Sequence, residues 1–164
     1  LGFQPDFVWI KAEDAASRSH VLTNVARGTD SQSYCNETTA PTTQTDALTS
    51  FDSDGFTVGS DGWLNRGTDS YVAWNWKGDG VSGGTLNEDG SIDSYVNVNT
   101  TAGFSIVKYT SPGSSSDETI GHGLSQAPDM VIVKNLDTTF NWDVWTPDLS
   151  SGYDMKLEYR WPSR

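Results

Sequence analysis

The sequence predicts an all-β chain: an antiparallel β-sandwich of jelly-roll or lectin-like type carrying a partial internal duplication. Three observations predict it. Apolar residues come in short runs and alternations without a sustained helical period, separated by clusters of Gly, Asp, Asn, Ser and Thr. The apolar fraction is only 35%, so burial falls to seven Trp, six Tyr and six Phe, which remove a large area each. The chain also echoes itself. At an offset of 123 positions, Pro5, Asp6, Val8, Lys11 and Asp14 meet Pro128, Asp129, Val131, Lys134 and Asp137. In both places a Pro-Asp turn feeds four apolar residues and a Lys, the pattern of a turn leading into a buried strand.

Taken in order, residues 3–11 read as the first strand, apolar on consecutive positions and so covered on both faces. Ala12 to Ser19 reads as a loop, and His20 to Val25 as a second strand before a turn at Arg27-Gly28. Thr29 to Ser50 is rich in Ser and Thr and reads as an irregular surface excursion with one short strand near Tyr34-Cys35. Phe51 to Gly59 is a turn leading into a strand, and Asp61-Gly62 turns again. Ser70 to Lys77 alternates, with Val72, Trp74 and Trp76 on one face and Tyr71, Ala73 and Asn75 on the other.

Gly78 to Gly84 is a linker or crossing loop, and Leu86 to Val98 a hairpin around Asp89-Gly90. Gly103 to Thr110 is a strand with Phe104, Ile106 and Lys108 on one side, and Pro112-Gly113 opens a loop. Asn141 to Thr146 and Met155 to Trp161 complete about ten short strands, with no helix expected. The units are then 1–78, a first partial repeat; 79–102, a crossing hairpin; and 103–164, a second partial repeat packed with the first as one sandwich. The first lacks a counterpart of Phe104–Thr110, and the second lacks one of Phe51–Trp76. The two are expected to complete one another, within one sandwich or by lending a strand to a neighbouring chain.

With 22 acidic against 10 basic residues the net charge is −12, which argues against a nucleic-acid partner, since phosphate neutralisation needs clustered Lys and Arg. Cys35 stands alone and cannot form an internal disulfide, so burial as a small apolar residue is expected. No apolar run reaches membrane-spanning length, and no signal peptide is visible. The chain begins with Leu1 and its only methionines are Met130 and Met155, so a processed product or a part of something longer, cut within the repeat, is expected.

The stretches Gly103–Thr110, Ile120–Leu124, Ala127–Asn135 and Asn141–Trp145, with Leu48–Asp61 and Ser70–Lys77, resemble a repeat domain of bacteriophage and marine-virus structural proteins. The resemblance covers most of the chain apart from the loops and the extreme C-terminus. Thr39 to Ala47 and the segment from Glu158 to Arg164 depart from the pattern. It implies a lectin-like sandwich in virion, tail-fibre-like or adhesin-like proteins, often in tandem, with no enzymatic activity to carry over. A virion or extracellular surface is the implied location. Self-association or other virion and fibre proteins are the implied partners.

Candidate chemistry is sparse. An indole face stacks on the C–H bonds of a sugar, so Trp63, Trp142 and Trp145 are the candidate glycan-binding residues, against the alternative that most Trp residues are packing. Trp142 and Trp145 fall on opposite strand faces, so one of them should be exposed or at an interface. Asp52, Asp54 and Asp89 are weak calcium candidates. Calcium takes six to eight oxygens, whereas Asp-Gly also makes a hairpin turn, and the turn is the weightier reading. His20 and His122 could share a metal if the repeats pair, but a His between two glycines more often anchors its loop. No nucleophile elbow or phosphate loop is present. The sequons at Asn36 and Asn99 matter only in a secretory compartment. The expected function is a non-enzymatic structural or adhesive module, with a glycan-binding domain as the alternative and a polysaccharide-cleaving domain as a weaker one.

Overall fold

The structure, a computed structural model, describes residues 1–14, 17–113, 115–150 and 152–159. Among them there are thirteen strands and no helix: β1 Phe7–Ala12, β2 Val21–Asn24, β3 Gly28–Tyr34, β4 Thr42–Thr43, β5 Leu48–Asp52, β6 Gly55–Val58, β7 Tyr71–Trp76, β8 Thr85–Asn87, β9 Ser94–Asn99, β10 Phe104–Tyr109, β11 Val131–Lys134, β12 Trp142–Trp145 and β13 Met155–Lys156. The fold is an all-β sandwich. A five-stranded sheet, β4-β3-β2-β1-β7, forms the middle, with β5-β6, β10-β9-β8 and β11-β12-β13 as further sheets. Trp161, at the end of the last expected strand, lies outside the described residues.

Strand β1 organises the middle sheet. Its apolar residues are consecutive because both faces are covered. Val8 and Ile10 enter a cluster with Val21, Tyr34, Ala47, Leu48 and Leu64, against which Phe51, Phe56 and Val58 of the β5-β6 hairpin pack. Phe7 and Trp9 point the other way, toward Leu22, Cys35, Trp142 and Leu157. Both edges are paired antiparallel, to β2 (Trp9 opposite Leu22) and to β7 (Trp9 opposite Trp74). The alternation read in β7 holds: Trp74 meets Trp9 edge-on at 5.6 Å and Trp76 meets Phe7 at 5.3 Å, while Tyr71 packs on the opposite side.

The segment 29–50 corrects the surface-excursion reading. It contains β3, β4 and the start of β5, and Gln32, Ser33, Tyr34, Cys35, Ala47 and Leu48 are buried. Most of the buried polar atoms here are hydrogen-bonded, with Gln32 Nε2 left without a partner. Arg27 donates to Ser31 and Ser33 hydroxyls, the latter at 2.8 Å, and the Tyr34 hydroxyl donates to Gln32. Gly28, at φ 81°, turns the chain from β2 into β3 in a conformation that side chains disfavour. The hairpin expected around Asp89-Gly90 is also wider than a two-residue turn. Asn87 pairs with Ser94, and the intervening loop is held by Ile120, which bridges Gly90 and Ile92.

The duplication is structural. In β1-β2-β3, Val8 lies opposite Thr23, Trp9 opposite Leu22 and Val21 opposite Tyr34. In β11-β12-β13, Val131 lies opposite Trp145, Ile132 opposite Val144 and Asp143 opposite Lys156. The second meander therefore repeats the first in register, with Val8 answering to Val131, Trp9 to Ile132, His20 to Trp142, Leu22 to Val144 and Tyr34 to Lys156.

Among the described residues strands pair only within 1–78 or within 79–159, and the two parts meet through side chains. Phe104 of β10 stacks on Trp76 at 6.2 Å, and Lys108 donates to the Ala26 carbonyl at 3.2 Å. Trp142 is the deepest link from the second meander. It is 6% exposed, and its indole N–H is shared by the Tyr34 and Glu37 carbonyls, each at 3.1 Å. Replacing a buried Trp by Ala removes area and leaves a cavity, so Trp142→Ala should destabilise by about 3–5 kcal/mol in urea unfolding. Trp142→Phe keeps an aromatic ring but removes the donor to the Glu37 carbonyl, while the Tyr34 carbonyl keeps the Glu37 N–H, a loss of about 1–3 kcal/mol. A Trp142→Ala loss below about 1 kcal/mol would mean that this contact does not hold the two parts together.

Candidate functional site

The sequence-predicted residues separate into different environments. Trp142 is buried packing, as described above. Trp145, on the opposite face of β12, is 46% exposed. Trp63 sits in the turn after Asp61, whose carboxylate accepts the Trp63 N–H at 2.7 Å, and its ring tilts against Tyr34 at 5.9 Å. Trp63 lines a shallow hollow of about 480 Å³ together with Ser17, Arg18, Asp61, Gly62 and Arg66. Arg18 is fixed there by Asp69 at 3.1 Å, and the backbone N–H of Arg66 donates to the Tyr71 hydroxyl. The two arginines were not legible as site residues. Isolated basic residues in a polar turn carry no pattern.

The carboxylates proposed for calcium are not gathered. Asp52 accepts from the Ser50 and Thr57 hydroxyls, and the Thr57 bond, with Ser50 second, holds its carboxyl below the usual range. Asp54 offers its backbone carbonyl to the N-terminal amine at 2.8 Å, and Asp89 lies in the loop after β8. Among the described residues no group of three or more His, Cys, Asp or Glu is placed to hold a metal ion.

The histidines also have local duties. Nδ1 of His20 accepts the Trp9 indole N–H at 2.9 Å, and Nδ1 of His122 accepts the Leu124 N–H at 3.0 Å. A second hollow, of about 360 Å³, lies at the seam beside Trp9, Lys11, His20, Asn36 and Glu158. Cys35 lines it, with its thiol pushed up to about 12 by burial, so it is no nucleophile.

The remaining feature is a contrast between the two meanders. Val8 and Ile10 of β1 are 1% and 4% exposed under the β5-β6 hairpin, while their counterpart Val133 in β11 is 39% exposed and Trp145 stands beside it. Beyond this face, Met130, Ile132, Leu136, Phe140 and Met155 are exposed too. The same holds at the Pro-Asp turn. Asp6 is fully buried, accepting the Gly78 N–H at 2.6 Å, whereas its counterpart Asp129 is exposed. The signal that could have found these residues was the 123-residue offset itself, since every exposed apolar residue of β11 answers to a covered one in β1.

Burial raises the Asp6 carboxyl pKa, opposed by the backbone bond from Gly78. The folded chain then holds this proton more tightly than the unfolded one, so stability falls as pH rises from the ordinary carboxylate range through the raised folded value. Asp6→Asn keeps an acceptor for Gly78 without the charge. It should remove that slope and raise the urea midpoint at pH 7. Asp6→Ala leaves the buried Gly78 N–H unpaired and should cost about 1–3 kcal/mol. Equal losses from both substitutions would contradict this.

The profile of one family, described as Domain of unknown function (DUF7483), matches residues 1–160, and the chain belongs to that family. No curated protein matches the chain, and no solved structure does. Among the described residues no helix is long and apolar enough to cross a membrane.

Proposed function

We propose that this member of the family is a non-enzymatic structural and adhesive module of a phage-like virion or surface fibre, assembling with copies of itself or with other fibre proteins. One observation carries the reading: the bare outer face of the second meander. Val133 stands open at 39% where its counterpart Ile10 is buried beneath a hairpin, and Trp145 at 46% where its counterpart Thr23 is buried. Exposed apolar surface of this kind marks a contact site. The resemblance of the sequence to virion and tail-fibre repeats agrees with it, and a net charge of −12 keeps such units soluble before they assemble. The location that goes with this reading is a virion or other extracellular surface.

A second reading, glycan binding, is favoured by the Trp63 hollow. There Trp63, 37% exposed, lines the hollow beside the exposed Arg66, a group able to bind hydroxyls or an acidic sugar, with the buried Arg18 and Asp61 at its wall. Trp142 takes no part, because it is buried. The polysaccharide-cleaving alternative has no observation in its favour: Asp6, the carboxyl raised by burial, is closed off from solvent.

Light scattering of the purified chain over a wide concentration range tests the first reading. Concentration-dependent association is expected, weakened about tenfold by Trp145→Ser together with Val133→Ser, in line with losing two apolar contacts. A strictly monomeric chain at millimolar concentration would contradict it. A glycan array tests the second: binding should be lost in Trp63→Ala and retained in Trp145→Ala, and the reverse pattern would move the sugar site to β12.

A further inference from the structure

We infer that the open edge of β11 is a strand-acceptor site whose occupant is a β7-type strand from another unit of this repeat. The inference goes beyond the bare face to the sheet edge beside it, and it rests on the assembly reading for the identity of the partner. In the first meander, β1 is paired on one edge with β2 and on the other with β7. In the second, β11 is paired with β12 alone, and no backbone bond from another segment reaches its outer edge among the described residues.

Three counterpart pairs show what the missing neighbour would do. Phe7 meets the Trp76 ring and Trp9 meets the Trp74 ring, both of β7. Their counterparts, Met130 and Ile132, have no such cover and are 58% and 45% exposed. The third pair is the Pro-Asp turn. Asp6 donates its N–H to the Trp76 carbonyl and accepts from Gly78 just beyond β7, while Asp129 is exposed. Backbone ladder, apolar side chains and turn carboxylate are thus all unmet on the side where β7 sits in the first unit.

The occupant and its register follow from that equivalence. β7 runs antiparallel to β1 with Val8 opposite Asn75, Trp9 opposite Trp74, Ile10 opposite Ala73 and Lys11 opposite Val72. Transferred to β11, the incoming strand sets its Asn75 position opposite Val131, its Trp74 position opposite Ile132 and its Ala73 position opposite Val133. Its two Trp positions then cover Ile132 and Met130. Main-chain pairing supplies affinity in such strand addition, and the alternate side chains supply specificity. An exposed apolar edge without Lys, Pro or a bulge at its centre lacks the usual guards against pairing.

The test titrates the full chain with a synthetic peptide of residues 70–78, Ser-Tyr-Val-Ala-Trp-Asn-Trp-Lys-Gly, and with a scrambled peptide of the same composition. Saturable binding of the first and at least about tenfold weaker binding of the second are expected. Ile132→Lys and, separately, Met130→Lys should each weaken binding about tenfold, because a charge on the edge opposes pairing. Both positions are exposed, and circular dichroism checks that each variant keeps its sheet.

Register is read by disulfide trapping: Val133→Cys should cross-link to a peptide carrying Cys at the Ala73 position and not to one carrying it at Val72. No binding, binding indifferent to both Lys variants, or cross-linking without register would overturn the inference. So would a Val133→Cys disulfide between two chains that excludes the peptide, since β11 would then pair with itself. A chain that associates through its outer face yet ignores the peptide would sink this inference and leave the assembly reading standing. A monomeric chain that binds the peptide in register would do the opposite.

Discussion

The enclosure of β1 is the constraint from which the rest of the molecule follows. A strand with apolar residues on both sides cannot rest on one layer, and Phe7-Val8-Trp9-Ile10 meets the β5-β6 hairpin on one face and β12-β13 on the other. Its edges are closed by β2 and β7, and the second of these contacts spans more than sixty residues of chain. The Pro-Asp turn at its entrance is locked from the same side, with Asp6 bonded to Trp76, Val25 and Gly78. One strand therefore gathers the first repeat, the crossing segment and part of the second repeat around itself.

The second repeat has the same grammar without the same enclosure. β11-β12-β13 reproduces the register of β1-β2-β3, and it turns the equivalent face toward the first unit, where Trp142 and Leu157 meet Leu22 and Cys35. What differs is the covering. Among the described residues no hairpin lies over Val133 and Trp145, and β12 alone flanks Ile132, leaving its other edge open. The surface that results is apolar on a chain that is otherwise strongly acidic. His20 and His122 accept hydrogen bonds from their neighbours, and the Cys35 thiol is raised by burial.

The parts of the fold legible in the sequence are those set by apolar pattern. The consecutive run of β1, the alternation of β7 and β10, and the repeated Pro-Asp turn each declare themselves, because burial on two faces or one imposes a distinct period. The segment 29–50 misled because its burial is polar. The Gln32 amide oxygen and the Ser33 hydroxyl are met inside by Tyr34 and Arg27, and Arg27 has its own pKa lowered to about 10 by desolvation. No composition scan registers such a network, since Ser, Thr and Gln read equally well as loop. The separation of Trp142 from Trp145 was legible as parity along a strand. Which of them faces the core was not, because that depends on how the two meanders meet. The Trp63 hollow was half legible: the indole stood out, while Arg18 and Arg66 come to it only through the turns around Asp61 and Asp69.

The central claim is that β11 is a second β1 with one edge and one face left open. Residue-resolved backbone hydrogen exchange on the dilute, monomeric chain tests it most directly. The account predicts strong protection along the whole of β1 from Phe7 to Ala12. In β11 it predicts protection only for the amides directed at β12, with the alternate amides of Val131 to Lys134 exchanging far faster. Uniform protection along β11, equal to that of β1, would contradict it.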